Sequence, residues 1–428
     1  MNNLVIICAI LLLVLLFLKV PVYIAVLSAS AVYFIGTPGM NLSIFAQKTI
    51  SGAEGLSLLA IPFFVCAGIF MNYTGVTKRI MNCCEVLTAR MPVGLAQVNI
   101  LLSTLMGGLS GSSLADAAMQ CKMLVPTMES KGYSKSFSTV ITAASGMVVP
   151  LIPPGVGLII YGCINNISIG KLFIAGIGPG IVLCVTLMIF THFLSKKRGY
   201  LPSRTTKIPV SEKIAAVKPA FLPLLLPIII IGGVRIGIFT ASEAGTVAIV
   251  YAVLLGLLYK ELTLKNVMQG CKETVTTTAS IMLIVAAATC FSWILTKEQI
   301  PQQFSQWMIS NIHNKYVFLI MVNIFLLIVG MFIEGNASMI VLAPLLHPVA
   351  MAYGIDDIHF AMVYIFNCTI GAFTPPMGTL MFVSCGITKC PTKDFIKEAV
   401  PFYILFAIDI IVLTYIPQLT TFLVNVFY

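Results

Sequence analysis

"VVPLIPPGVG", residues 148–157, sets three prolines and two glycines inside a strongly apolar stretch. Proline removes a backbone N–H and drives the preceding residue out of the helical region, so Ile152 is expected to be extended and any helix to break here. The break has an echo in "AFTPPMGT", residues 372–379, where a second Pro-Pro predicts the same for Thr374. Of 428 residues, 59% are hydrophobic and 9% charged, and mean hydropathy is +1.02. That much apolar surface exceeds what a soluble core uses and requires a bilayer. Inside a bilayer, non-helical backbone is tolerated only against protein or a water-filled cavity. The two breaks therefore mark places where the chain has a partner or a pore.

Near-chargeless runs predict ten crossings, at about 4–18, 21–36, 57–74, 138–167, 172–194, 219–238, 242–259, 274–296, 359–386 and 400–424. The longest polar stretch, Ser195–Lys218, holds Lys196, Lys197, Arg198, Arg204, Lys207, Lys213 and Lys218 against the single acid Glu212. Basic excess beside membrane spans marks the cytoplasmic side. Alternation then places Lys19, Lys78, Arg79, Arg90, Lys260, Lys265, Lys272, Lys389, Lys393 and Lys397 inside, and both termini on the outer, periplasmic face. The net charge of +10 is thus read as an orientation signal, not a nucleic-acid surface. The twelve cysteines form no CxxC pair and are scattered through apolar segments, as small hydrophobes would be. The start, "MNNLVIICAILLLVLLFLK", has neither a basic n-region nor a small-residue cleavage site, so it is read as a retained span.

Two apolar stretches do not fit as simple crossings. Residues 91–129 run to "GGLSGSSLAD" and return to basic "MESKGYSK"; residues 316–357 run to "GMFIEGNAS" and return to acidic "AYGIDDIH". Each reads as a re-entrant hairpin with its polar tip near the midplane, one from either face. Hairpin, return loop and broken helix thus occur twice, in opposite orientations, and such paired interrupted helices point to a secondary transporter's binding site. Carbonyls upstream of each Pro-Pro are expected to lose helical partners and serve a small cation. The half-helix after each break aims free N–H groups back at it, suited to a carboxylate. Neither GxxxxGK[ST] nor another nucleotide motif is present.

At these residues the chain resembles the large membrane subunit of tripartite ATP-independent periplasmic (TRAP) transporters, the DctM type. The resemblance rests on "LLAIPFFVCAGIFM" (58–71), "GLSGSSLADAAM" (108–119), "AASGMVVPLIPPGVGLIIYG" (143–162) and "AGIGPGI" (175–181). It continues through "GGVRIGIFTASEAGTVAIVYA" (232–252), "GMFIEGNASMIVLAPLLHPVA" (330–350) and "GIDDIHFAMVYIFNCTIGAFTPPMGTLMF" (354–382). It implies a sodium-driven importer of an organic acid, sialic acid or a C4-dicarboxylate, working by an elevator motion in a bacterial inner membrane. Its implied partners are a small four-helix membrane subunit and a soluble periplasmic binding protein. No cofactor is expected beyond sodium as coupling ion.

The fold expected is therefore an all-α polytopic membrane protein with about ten crossings and two hairpins in inverted repeats. Residues 1–56, 172–273 and 399–428 are assigned to scaffold and terminal helices, and 57–171 and 274–398 to the two halves of a transport domain. A first sodium site is expected from Ser110 and Ser112 with carbonyls of Gly146, Val149 and Pro150. A second is expected from Gly330, Gly335, Gly371, Thr374 and the Met377 carbonyl. Substrate contacts are expected from Asn336, whose amide both donates and accepts, with Glu334, Ser113, Pro154 and Pro376. Asp116 is read as a cap on the outgoing hairpin arm. Two rival functions share parts of the pattern. One is a partner-independent sodium/dicarboxylate symporter. The other is an intramembrane serine protease, because "GLSG" (108–111) matches GxSG, but that chemistry needs a histidine at the same depth.

Overall fold

The computed structural model describes residues 3–18, 20–89, 91, 94–200 and 209–428, with only the backbone of Asn3 and Ser195. Lys19, Arg90, Arg204 and Lys207, used above for orientation, lie outside the described residues. Two short apolar helices, α1 (Asn3–Phe17) and α2 (Val22–Gly36), precede α3 (Leu42–Ser51) and, after a 3₁₀ turn, α4 (Ala60–Tyr73). Next come α5 (Val76–Thr88), a hairpin of α6 (Gly94–Ser110) and α7 (Ser113–Ser130), then α8 (Lys135–Gly146), α9 (Val156–Asn165) and the long α10 (Ile169–Lys197). After α11 (Val210–Ile236) and α12 (Ala241–Leu258) the same order recurs. It runs through α13 (Leu264–Lys297), α14 (Ile300–Asn311), a hairpin of α15 (Lys315–Phe332) and α16 (Gly335–Ala352), then α17 (Asp357–Gly371), α18 (Thr379–Thr388) and α19 (Thr392–Tyr415). The last element is α20 (Gln418–Phe427).

Both hairpins and both broken helices thus lie where the sequence predicts them. Among the described residues seven helices are long and apolar enough to cross a bilayer, eight if the bent pair α19–α20 counts as one. The difference from ten crossings has a physical source. α1 and α2 have 15 residues each, below the roughly 20 a straight crossing needs, and each broken span is built from two short pieces. The last expected crossing is not straight: it bends by 49° where Pro417 follows α19. Three elements were not anticipated, α3, α5 and α14. In α5, Val76, Thr77, Ile80, Cys83, Cys84 and Thr88 are buried along one face, the pattern of an amphipathic helix.

Packing ties the two hairpin-bearing halves together. Each hairpin's outgoing arm lies on the other half's second half-helix, α7 on α18 and α16 on α9. The Thr139 and Thr388 hydroxyls of α8 and α18 are 3.0 Å apart. The Tyr161 hydroxyl of α9 lies 3.4 Å from His347 Nδ1 of α16. The two halves are therefore interlocked. α10, grouped with the scaffold in the sequence reading, packs on α6, α9, α17, α19 and α20. α4 and α13, grouped with the hairpins, pack on one another and reach both ways, α4 on α12 as well as on α6 and α9, and α13 on α2 and α3 as well as on α16. A continuous apolar stretch shows no preferred face in the sequence, so only the packing reveals which neighbours each span takes.

Candidate functional site

The first hairpin turns at Gly111, whose φ of +61° is left-handed and open to glycine at little steric cost. The Ser112 side chain caps α7, accepting from the Ala115 N–H at 3.4 Å. This tip sits directly on the first break: the Val156 N–H donates to the Gly111 carbonyl at 3.3 Å. A Cβ on Gly111 would lie 2.7 Å from the Pro154 carbonyl oxygen, and one on Gly146 would lie 3.3 Å from that of Ser113. The second hairpin turns at Ile333–Glu334, and the Glu334 carboxylate caps α16, accepting from the Ala337 N–H at 3.1 Å. It too sits on its own break. A Cβ on Gly330 would lie 2.9 Å from the Gly371 Cα, and one on Gly335 3.6 Å from the Cys368 Cβ. Both sets of candidate ion-binding residues are thus assembled from distant stretches, one set per half.

The breaks themselves differ from expectation in one respect. Upstream carbonyls do not simply lose their partners, because the chain tightens into i+3 turns. Val149 N–H donates to the Gly146 carbonyl at 3.3 Å and Thr374 N–H to that of Gly371 at 3.0 Å. The Thr374 hydroxyl donates to the Ile370 carbonyl at 2.7 Å, leaving its oxygen lone pairs available. Beyond each break a ten-residue half-helix starts without a side-chain cap and ends in a left-handed residue, Asn166 (φ 55°) or Lys389 (φ 57°). Its first turn is not wholly free as expected, because the Val156 N–H is taken by Gly111 and the Leu380 N–H donates to the Ala372 carbonyl at 2.9 Å. Pro153–Pro154 and Pro375–Pro376 are both cis.

A cavity of about 650 Å³ joins the two tips. Ser110, Ser112, Ser113, Glu334, Gly335 and Asn336 line it, and so does Pro150. Gly146, Val149, Pro154, Gly330, Gly371, Thr374 and Pro376 are not among its lining residues. Met377, whose carbonyl is expected at the second sodium site, lines a further cavity of about 320 Å³ between the α1–α2 turn and the second hairpin, and Glu334 lines both. Thr379, the first residue of α18, lines both cavities. Sequence reasoning missed the opposite wall, formed by Asn72 of α4 and by Glu273, Thr276, Thr277 and Ser280 of α13. The signal was present in the hydroxyl-rich "ETVTTTAS" (273–280), inside a span read only for its length. Among the described residues the cavity is lined by two carboxylates, Glu273 and Glu334, and by no lysine, arginine or histidine.

Asp116 is not a cap. It is buried, and its Oδ2 accepts from Ser103 Oγ at 2.7 Å and Gln120 Nε2 at 2.8 Å, with Ser103 also 3.1 Å from Ser145 of α8. It ties both hairpin arms to the first half-helix. The serine-protease arrangement is absent among the described residues. Ser110 Oγ donates to the Met106 carbonyl at 3.2 Å, while His359 meets Thr420 and Thr414. The twelve cysteines are all free, and only Cys271 is exposed.

A family model for the tripartite ATP-independent periplasmic transporter DctM component matches residues 9–419. The chain is 39% identical over 414 residues to the sialic acid TRAP transporter large permease protein SiaM of Vibrio cholerae, covering 96% of each. It is 35% identical to the 2,3-diketo-L-gulonate large permease protein YiaN of Escherichia coli, over 93% of this chain and 94% of that one. It is also 35% identical to the C4-dicarboxylate large permease protein DctM of Pseudomonas aeruginosa, over 89% of each. In fold it is similar to the YdaH transporter of Alcanivorax borkumensis, with TM-score 0.60 at 12% identity over 92% of this chain and 96% of that one. These relatives are permeases, not enzymes. The chain belongs to the DctM component family of TRAP transporters, and is a multi-pass membrane protein of that tripartite system.

Proposed function

We propose that the chain is the sodium-coupled carrier of a three-part importer for an organic acid, sialic acid before a C4-dicarboxylate. The observation that carries this reading is the charge of the tip cavity: two carboxylates and no basic side chain among its described lining. An organic anion entering such a space meets like charge, which is unfavourable at short range. Bound cations and helix N-termini are what remain to offset it. The hairpin tips supply both, with sodium at Ser110/Ser112 and the first break, and at Gly335/Thr374 and the second. The substrate carboxylate then lies against Ser113 and Asn336 at the starts of α7 and α16. The carboxylates named in all three relatives' substrates support the same class.

The cavity reaches Asn72 and Glu273, at the helix ends that lead to Lys78 and from Lys265 and Lys272. By the positive-inside rule this is the cytoplasmic side of the bacterial inner membrane, so the conformer is the one that releases substrate inward. Transport follows when the interlocked hairpin unit moves as an elevator against α4, α12 and α13, which wall the cavity or back that wall. The remaining partners are a small membrane subunit and a periplasmic binding protein. The test is uptake of labelled N-acetylneuraminate into proteoliposomes. It is expected to require a sodium gradient, the small subunit and the binding protein together. Undiminished uptake with potassium replacing sodium overturns the coupling. Uptake by this chain alone favours a partner-independent symporter.

A further inference from the structure

The wall facing the two tips carries a polar ladder along α13, from Ser280 through Thr277 and Thr276 to Glu273. At helical rise Glu273 lies about 10 Å along the axis from Ser280, toward the end bearing Lys265 and Lys272. Its carboxylate is held in place. The Tyr73 hydroxyl donates to Oε1 at 2.7 Å and Gln269 Nε2 at 2.9 Å. Both donors are neutral, and among the described residues no ion pair includes Glu273. Its carboxylate therefore stands fixed, with no ion-pair partner among the described residues, in the wall of a cavity that has no basic lining residue.

We propose that Glu273 is a specificity-determining residue that biases the carrier toward one direction, by disfavouring entry of an organic anion from the open side of this cavity. The proposal rests on the reading of the substrate as an anion. α13 packs on α2, α3 and α4 and meets the hairpin unit chiefly through α16, the contact across which the proposed elevator motion slides. A substrate loaded with the unit displaced to the opposite side thus does not pass Glu273 on entry, only on release. A unit charge about 10 Å away through a wet cavity changes anion affinity by between about twofold and tenfold. Salt attenuates it, because the screening length is about 10 Å at 0.1 M.

The charge is tested without knowing the substrate. In a protein lacking its native cysteines, Ser280→Cys is titrated with an anionic and a cationic methanethiosulfonate. Glu273→Gln is expected to raise the anionic-to-cationic rate ratio by at least about fourfold at low salt, and by little at 1 M choline chloride. Tyr73→Phe, which removes a hydrogen bond and keeps the charge, is expected to leave the ratio unchanged. An equal ratio in Glu273→Gln and the parent overturns the electrostatic role. The direction is tested in proteoliposomes of the full complex, by inhibiting sodium-driven uptake with lumenal N-acetylneuraminate. Glu273→Gln is expected to be inhibited at concentrations two- to tenfold lower, and identical inhibition overturns the one-way role. A ratio that shifts in a parent with no sodium-driven uptake overturns the transport reading, and the directional role with it.

Discussion

Gly111 shows how much of this site depends on one residue's lack of a side chain. Its φ is +61° and a Cβ would sit 2.7 Å from the Pro154 carbonyl, whereas Gly132, at φ +86°, has nothing within 4 Å. Gly132→Ala is expected to cost about 1 kcal/mol of backbone strain alone. Gly111→Ala adds the clash and is expected to cost about 1–3 kcal/mol, lower the Tm in detergent further, and abolish transport by lifting the tip off the break. Equal Tm losses for the two would show that the close approach is not structural. At the second break Thr374→Val keeps the β-branched shape and removes the hydroxyl that donates to Ile370. Its stability cost is expected at about 1 kcal/mol, with a larger rise in the sodium concentration needed for half-maximal uptake. An unchanged sodium dependence at normal expression counts against a sodium role for Thr374. These positions were legible from the sequence, because glycine and proline act through their own backbone.

At the scale of elements, the first hairpin is pinned by a buried polar network. Asp116 Oδ2 gathers donors from Ser103 on the incoming arm and from Gln120 on its own arm, and Ser145 joins from α8. Asp116→Asn retains an acceptor oxygen for both donors, whereas Asp116→Ala strands them at about 1–3 kcal/mol each. Thermal unfolding in detergent is expected to show a several-degree greater loss for Ala than for Asn. A reversed order would mean that the charge, not the acceptor, holds the hairpin. The sequence revealed this aspartate but not its partners, since Ser103, Gln120 and Ser145 meet only when three helices pack. The same holds for the α13 wall, whose hydroxyls line the cavity through neighbours that no local pattern specifies.

For the whole molecule, the crossed packing of α7 on α18 and of α16 on α9 makes both hairpin-bearing halves one body. In the proposed elevator motion that body moves against α1–α4 and α11–α14, and Phe17 of α1 meets Phe332 of α15 at this contact with ring centres 5.2 Å apart. In a background without native cysteines, a crosslink between Phe17→Cys and Phe332→Cys is expected to abolish uptake, with recovery on reduction. A crosslink between Thr139→Cys and Thr388→Cys, inside the body, is expected to leave at least half of it. Full uptake with the boundary crosslinked would mean that the body does not move against this frame.

The sequence by itself determined the membrane class, both hairpins, both broken helices and the residues at their tips. Hydropathy, proline and glycine express themselves within a few residues of where they stand, so they survive without tertiary information. Tertiary structure alone decided which tip faces which wall, the packing of α10 on α6 and α9 and of α13 on both α2 and α16, and the burial of Asp116 in a network. A span that is apolar on every side presents no preferred face, so its neighbours are set by packing against distant helices. That packing is what brings Glu273 and the two hairpin tips to one cavity.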